Sequence, residues 1–296
     1  MTSIITRIGK AGSAGEEVFL VSPEDARILL KFNTHNRKLS DNEVQKWALE
    51  MEEGRWQYNG DPVRIAVNGA ILDGQHRLTA LSMMPDDFRI NMLFVWGLPQ
   101  ETQLTMDQGR RRGVADQLSL AGDALNGSEA AGLRLYILWL SHQTGDPCDM
   151  LFQNAVLVKR RLTPTYLHDW VGKNPGVLDL MHAGYQYVKI ECRPRVTIAA
   201  YAAIMTRASK APLGVVDDFF AGVLHGAELP TGSPILALRE RLGNIVKSGS
   251  KMSDRDRLGM FLHTYNLWRK SNTISKIQMP NGSSYTSNNF PKVTQI

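Results

Sequence analysis

Within five consecutive positions, Asp73-Gly74-Gln75-His76-Arg77, the chain sets a carboxylate, a glycine, an imidazole and a guanidinium side by side. Ile71 and Leu72 before them look like the end of a buried strand, and Leu78, Leu81 and Met84 after them are spaced as one apolar helix face. A strand, a glycine turn and a helix N-terminus carrying Arg can hold phosphate. The helix dipole attracts the anion, glycine lets it approach the backbone, and Arg adds a forked, permanent charge. Gly74 serves the turn and the site alike. Arg77 is a candidate phosphate ligand, or else the partner of Asp73 or Asp107. His76 contacts phosphate, acts as acid or base, or packs neutrally against the sheet. Asp73 holds Mg2+ through water, serves as base toward a substrate hydroxyl, or caps the helix that starts at Gln75.

Two further segments carry the same chemistry. Asn33-Thr34-His35-Asn36-Arg37-Lys38 is a polar loop dense in donors, with Asn33 and Arg37 as candidate ligands; the alternative is a solvated connection. In Asp107-Gln108-Gly109-Arg110-Arg111-Arg112-Gly113, three successive Arg between glycines make a positive patch suited to phosphate oxygens, or a solvated basic loop.

The pattern around these segments predicts the elements that hold them. Residues 17–21 form a short strand, and Ser22-Pro23-Glu24-Asp25 starts a helix running to about residue 32. Ser40 and Glu43 stand in capping-box spacing at the head of a second helix, whose inward stripe is Val44, Trp47, Ala48 and Met51 and whose end is Gly54. Asn68-Gly69 between 62–67 and 70–72 favours a two-residue type I′ hairpin. Residues 90–96 are apolar almost throughout, as in a central strand, and a helix is expected from Gln100.

From residue 126 the pattern turns helical, over 126–143, 150–160, 164–171, 175–189, 195–209, 212–225, 233–247 and 253–270, with Gly and Pro between. Residues 271–296, rich in Ser and Asn, are a tail or a surface arm. The helical half carries basic clusters at Lys159-Arg160-Arg161, at Arg193 and Arg195, and at Arg255, Arg257, Arg269 and Lys270; they grip DNA or are ordinary charged faces. His142, His168, His182, His225 and His263 show no metal-ligand spacing. The 296 residues, 43% hydrophobic and 21% charged with net charge +5, are those of a globular chain. The basic pI near 9.2 permits a nucleic-acid partner without requiring one. Cys148 and Cys192 lie far apart, which argues against a disulfide framework and for a reducing compartment. No stretch approaches the roughly 18 apolar residues of a membrane span, so the expected location is the cytoplasm, with no membrane partner.

Together the three polar segments resemble the ParB/sulfiredoxin superfamily over about residues 17–120. Partition proteins of that family grip the triphosphate of CTP with a Gly-Glu-Arg-Arg turn, and Gly74-Gln75-His76-Arg77 occupies that place. The 33–38 loop is similar to the Asn- and Arg-containing box that opens the partition-protein domain. Sulfiredoxin has a catalytic Cys before His-Arg; Gln75 stands there, so sulfinic-acid reduction is excluded. The family's free-serine kinase has Asp-Gly-His-Thr-Arg, matched at Asp73, Gly74 and Arg77. Asp-Gly-Gln-His-Arg itself occurs in the ATP-hydrolysing regulator of DNA phosphorothioation. The whole pattern also resembles ParB-like proteins of actinobacteria and their phages. Arg110, Arg111 and Arg112 match the second phosphate loop only loosely, since the Glu-Asn-x-x-Arg pattern is absent.

The resulting expectation is an α/β (α+β) ParB/sulfiredoxin-like domain over 17–122, after a flexible start at 1–16. An all-helical domain over 123–270 follows, then the tail or arm at 271–296. The resemblance implies an NTP, ATP or CTP, with Mg2+, at Asn33, Arg37, Gly74, Gln75, His76, Arg77 and Arg110 to Arg112, with Asp73 and His76 as catalytic groups. The expected function is a nucleotide-dependent, DNA-associated protein of a phage or mobile element, acting in DNA modification, segregation or regulation, whose helical domain mediates partner contact, self-association or DNA binding. The alternatives are a phosphotransferase acting on a hydroxyl of a small molecule or nucleotide and, ranked last, a nuclease, because one carboxylate is too few for two-metal cleavage.

Overall fold

Strand β4 (Ile90–Leu98) lies between β1 (Gly15–Val21) and β2 (Val63–Ala66), and β3 (Ile71–Asp73) closes the far edge, giving the order β1-β4-β2-β3. The computed structural model describes residues 4, 6, 14–33, 36, 38–106, 112–146, 149–208, 212, 214–226, 228–282 and 284–294. The chain is mixed α/β, mostly helical, and divides into two compact units: Met1–Arg111 with Lys159–Arg161, and Arg112–Val158 with Leu162–Ile296.

In the first unit β1 runs antiparallel to β4 from Gly15 opposite Trp96 to Val21 opposite Ile90, whereas β2 runs parallel to β4 and antiparallel to β3. The alternation expected of a half-covered sheet is plain on β4: Met92 and Phe94 are buried while Leu93 and Val95 are only partly so. Phe94 meets Phe19 of β1 edge to face, 5.6 Å between ring centroids. Ile4 and three helices join that core: α1 (Pro23–Leu30), α2 (Asp41–Glu52) and α3 (Gln75–Ser82). Val44, Ala48 and Met51 of α2 and Leu78 and Leu81 of α3 are buried in it, as the stripes predict. The central placement of β4 also follows from its sequence.

Three local expectations change. The hairpin at Asn68-Gly69 is not type I′, because Gly69 has φ +82 while Asn68 stays at negative φ. Gly69 N–H donates to Ala66 O at 2.9 Å and Ala66 N–H to Ala70 O at 2.8 Å, a three-residue loop whose last residue is left-handed. The Asn68 side chain accepts from Ala70 N–H at 3.1 Å, which holds that alternative turn. The helix expected from Gln100 is a short 3-10 turn, Gln100–Thr105. Ser40 precedes α2 as expected, but its side chain makes no capping hydrogen bond. The box at Ser22 and Asp25 does form, with both reciprocal bonds.

Among the described residues of the second unit every regular element is helical. The expected stretches appear as α5 (Gly127–Thr144), α6 (Ala155–Arg161), α7 (Pro164–Lys173), α8 (Val177–Tyr185), α9 (Pro194–Arg207), α10 (Val215–His225), α11 (Pro234–Lys247) and α12 (Asp254–Arg269). A short α4 (Val114–Leu120) precedes them, unforeseen. Every residue of α9 from Val196 to Ile204 is buried, so this helix is packed on all sides, by α5, α8, α10 and α12. Its closest neighbours approach at Ile198: a Cβ on Gly132 of α5 would lie 2.7 Å from it. Residues 271–282 and 284–294 lie along the unit as an arm that buries Ile277, Met279, Tyr285, Phe290 and Val293. No described helix is long and apolar enough to cross a membrane.

Candidate functional site

The motif turn forms where strand β3 hands over to α3. Gly74 is the N-cap residue at φ +96, and a Cβ there would sit 2.9 Å from Val63 Cγ2, so both conformation and space require glycine. Asp73 and Arg64 stand opposite each other in the β2–β3 ladder and form an ion pair of 2.5 Å. The other Asp73 oxygen accepts Gly74 N–H at 2.6 Å. The carboxylate therefore fixes the turn through both of its oxygens, but it does not cap α3: the N-cap residue is Gly74, and no side chain bonds the first helical N–H groups.

Arg77 turns inward. Its side chain is 7% exposed, and its guanidinium donates to the carbonyls of Asp61 and, at 2.7 Å, Pro62. Asp61 Oδ2 is 3.3 Å away and Asp73 Oδ2 3.9 Å. The expected ion pair with Asp73 is present, but the main work of Arg77 is to hold the chain entering β2. The fork of Arg matches two successive carbonyls, which a lysine would not do.

The polar loop after α1 meets this turn. Asn33 Nδ2 donates to Gln75 Oε1 at 3.2 Å, and Asn36 Nδ2 donates to Asn33 Oδ1 and to Ile71 O, both at 2.6 Å. Gln103, in the 3-10 turn, donates to Asn36 Oδ1 at 2.7 Å and to Leu72 O at 2.9 Å. Phe32 O accepts Ile71 N–H at 3.4 Å. Strand β3 is an edge strand, and these groups satisfy backbone atoms that a further strand would otherwise bond. Four amide side chains thus join the loop, the edge strand, the first turn of α3 and the 3-10 turn. His76 adds a fifth connection, since Nε2 accepts Ser40 N–H at 3.1 Å.

Of the expected ligands, Asn33, Gly74, Gln75 and His76 come together, with Asp73 and Arg77 engaged as described. Arg37, Arg110 and Arg111 lie outside the described residues. Arg112 is exposed and begins the second unit. Gln103, Arg64, Asp61 and the Ser40 backbone also belong to the site and were not foreseen from the sequence. Gln103 carried no local signal; Arg64 could have been found as the lone charge in an apolar strand. Among the described residues no three His, Cys, Asp or Glu side chains gather to hold a metal.

In the helical unit the basic clusters are largely paired. Arg193 and Arg195 bind Asp254 at 2.7 and 2.5 Å, and Arg255 stacks on Phe152 at 4.6 Å. Three His rings are held by carboxylates through Nδ1: His142 by Asp149 (2.9 Å), His168 by Asp123 (2.7 Å) and His182 by Glu129 (2.8 Å). Their partners lie too far along the chain, or behind too many turns, for periodicity to reveal them.

Comparison with models of protein families, with curated proteins and with solved structures gives no match.

Proposed function

We propose that the first unit is a nucleotide-binding module that takes phosphate at the start of α3, and that the chain is a nucleotide-dependent, DNA-associated protein of the ParB-like kind it resembles. The observation that carries this reading is the hydrogen bond from Asn33 to Gln75, which joins two polar segments 42 residues apart at one left-handed glycine. A polar loop beside a strand–glycine–helix turn is the arrangement that the resemblance implies for a triphosphate.

Phosphate oxygens at this turn would face the positive end of the α3 dipole, with His76 and the Asn36 side chain beside them. Arg77 contributes from beneath, by fixing the strand that Gly74 packs on. Mg2+ comes with the nucleotide and neutralises its charge. Both Asp73 oxygens are engaged by Arg64 and Gly74 N–H, which favours binding over a phosphotransferase in which Asp73 is the base. The DNA-associated part rests on the resemblance and on net charge +5.

The test is calorimetric titration of ATP, CTP and GTP with Mg2+ into the wild type and His76→Ala. Saturable binding of one nucleotide, weakened about tenfold or more by the substitution, supports the reading. No binding of any nucleotide overturns it. DNA association is tested by the salt dependence of duplex binding with and without that nucleotide; affinity indifferent to both salt and nucleotide would remove that part.

A further inference from the structure

Asparagine is followed by glycine at Asn59-Gly60, Asn68-Gly69, Asn126-Gly127 and Asn281-Gly282. Such a pair can close on itself: the glycine amide nitrogen attacks the asparagine side-chain carbonyl, and glycine has no Cβ to obstruct it. The fold treats the pairs differently. In two of them the attacking amide is already committed, because Gly69 N–H donates to Ala66 O at 2.9 Å and Gly282 N–H to Met279 O at 3.1 Å. In a third, Asn126 caps α5. Its Oδ1 accepts Ser128 N–H at 2.9 Å and Glu129 N–H at 3.0 Å, while Glu129 Oε2 accepts Asn126 N–H at 2.8 Å. Closing a ring there would break the capping box of an eighteen-residue helix.

Asn59 is under no such restraint. It and Gly60 are exposed in the loop that leads into β2, outside any helix or strand. Among the described residues Gly60 N–H has no hydrogen-bond partner. A Cβ on Gly60 would meet nothing within 4 Å, so the amide stands in open space. Gly60 is left-handed at φ +76, and in the turn it makes Asp61 N–H donates to Asn59 Oδ1 at 3.0 Å. That oxygen gains negative charge when the side-chain carbonyl is attacked. A donor therefore already stands where the tetrahedral intermediate needs one.

We propose that Asn59 is a site of spontaneous deamidation through a succinimide formed with Gly60, and that the isoaspartate product loosens the hold of Arg77 on the same loop. The Gly60 nitrogen bonds to Asn59 Cγ and gives its proton to water. The Cγ–Nδ2 bond breaks, and the nitrogen leaves as ammonia with a proton from water. Water then opens the ring. Cleavage of the new N–Cγ bond gives aspartate; cleavage of the original peptide bond gives isoaspartate, with the main chain rerouted through Cβ and Cγ. The second product lengthens the main chain just ahead of the Asp61 and Pro62 carbonyls that Arg77 grips. None of this depends on the nucleotide reading.

The full chain is aged in mildly alkaline buffer and mapped by peptide mass spectrometry, with isoaspartate quantified by an isoaspartate-specific methyltransferase. In the folded chain Asn59 should convert about tenfold or more faster than Asn68, Asn126 or Asn281. In concentrated urea all of them should convert at comparable rates, because the difference resides in the fold. Asn59→Gln should stay intact at that position, since its longer side chain closes a larger ring. The isoaspartate form, separated by ion exchange, should unfold at lower urea than the fresh protein. Asn59→Asp carries the same charge on an ordinary backbone and should keep the wild-type midpoint. The proposal is overturned if Asn59 converts no faster than Asn126 in the folded chain, or if the isoaspartate form keeps the wild-type midpoint. An equal fall in Asn59→Asp overturns it as well, since charge alone would then be responsible.

Discussion

The backbone N–H of Ser40 donates to Nε2 of His76 across 3.1 Å, tying the start of α2 to the first turn of α3. The bond uses a lone pair on Nε2, so that nitrogen is the acceptor here. It also explains the missing capping box. In such a box the Glu43 carboxylate would accept Ser40 N–H; here His76 takes that donor.

His76→Ala removes the acceptor but leaves a site that water can reach. The expected cost is about 0.5–1.5 kcal/mol of unfolding free energy, together with weakened nucleotide binding. Urea denaturation and calorimetry on one preparation check both. A folded variant with undiminished nucleotide affinity would take His76 out of the site.

Arg77→Ala should behave differently. It strips the carbonyls of Asp61 and Pro62 of the donor that the buried Arg77 side chain supplies. The expected loss is about 1–3 kcal/mol. Arg77→Lys should recover only part of it, because an ammonium cannot span both carbonyls. Denaturant midpoints measure this directly, and an Arg77→Ala protein as stable as wild type would refute the structural role.

At Gly74 the constraint is conformational and steric together. Alanine at φ +96 costs about 1–2 kcal/mol. Its Cβ would also meet the Val63 side chain at 2.9 Å and the Val63 main chain at 3.2 Å, adding roughly 1–3 kcal/mol. Val63→Ala should relieve some of that second part but not all, since the main-chain approach remains. A double-mutant cycle measures the coupling; strict additivity would mean that backbone strain alone is responsible.

These residues show what a sequence makes legible. Gly74 could be identified because a strand, a glycine and a helix start occur in order, and that order is local. The apolar stripe of α3 was legible for the same reason. The partners of Arg77 were not, because they are main-chain carbonyls 15 and 16 residues upstream, where residue type carries no signal. Gln103 was hidden twice over: its 3-10 turn has no apolar period, and its acceptor Leu72 O is 31 residues away. Ser40 shows the intermediate case. The helix start was visible, but the identity of its partner depends on a tertiary contact with His76.

The arm at 271–294 depends on a close approach at α12. A Cβ on Gly259 would lie 2.5 Å from Tyr285 Cε2 and 3.2 Å from Phe290 Cε2, both in buried rings. Asp256 tethers the same segment, accepting from Tyr285 N–H at 3.0 Å and Ser284 Oγ at 3.1 Å. Gly259→Ala should therefore cost about 1–3 kcal/mol and loosen the arm. Trypsin should then cut faster at the exposed Lys276 and Lys292. Unchanged cleavage rates would mean that the rings shift without releasing the arm.

His263 supplies a pH dependence. Burial in α12 holds its pKa below the ordinary 6.5, because desolvation penalises the charged ring. The unfolded chain then binds a proton more readily than the folded one, so stability falls as pH drops through about 6.5 and is fully present above it. The chain has seven histidines, so the wild-type curve alone does not isolate His263. The difference between wild type and His263→Gln does. Urea unfolding from pH 8 to 5 should show the wild type losing stability relative to the variant as the solution becomes acid. A constant difference across that range would mean that the ring finds its proton as easily in the fold as in water.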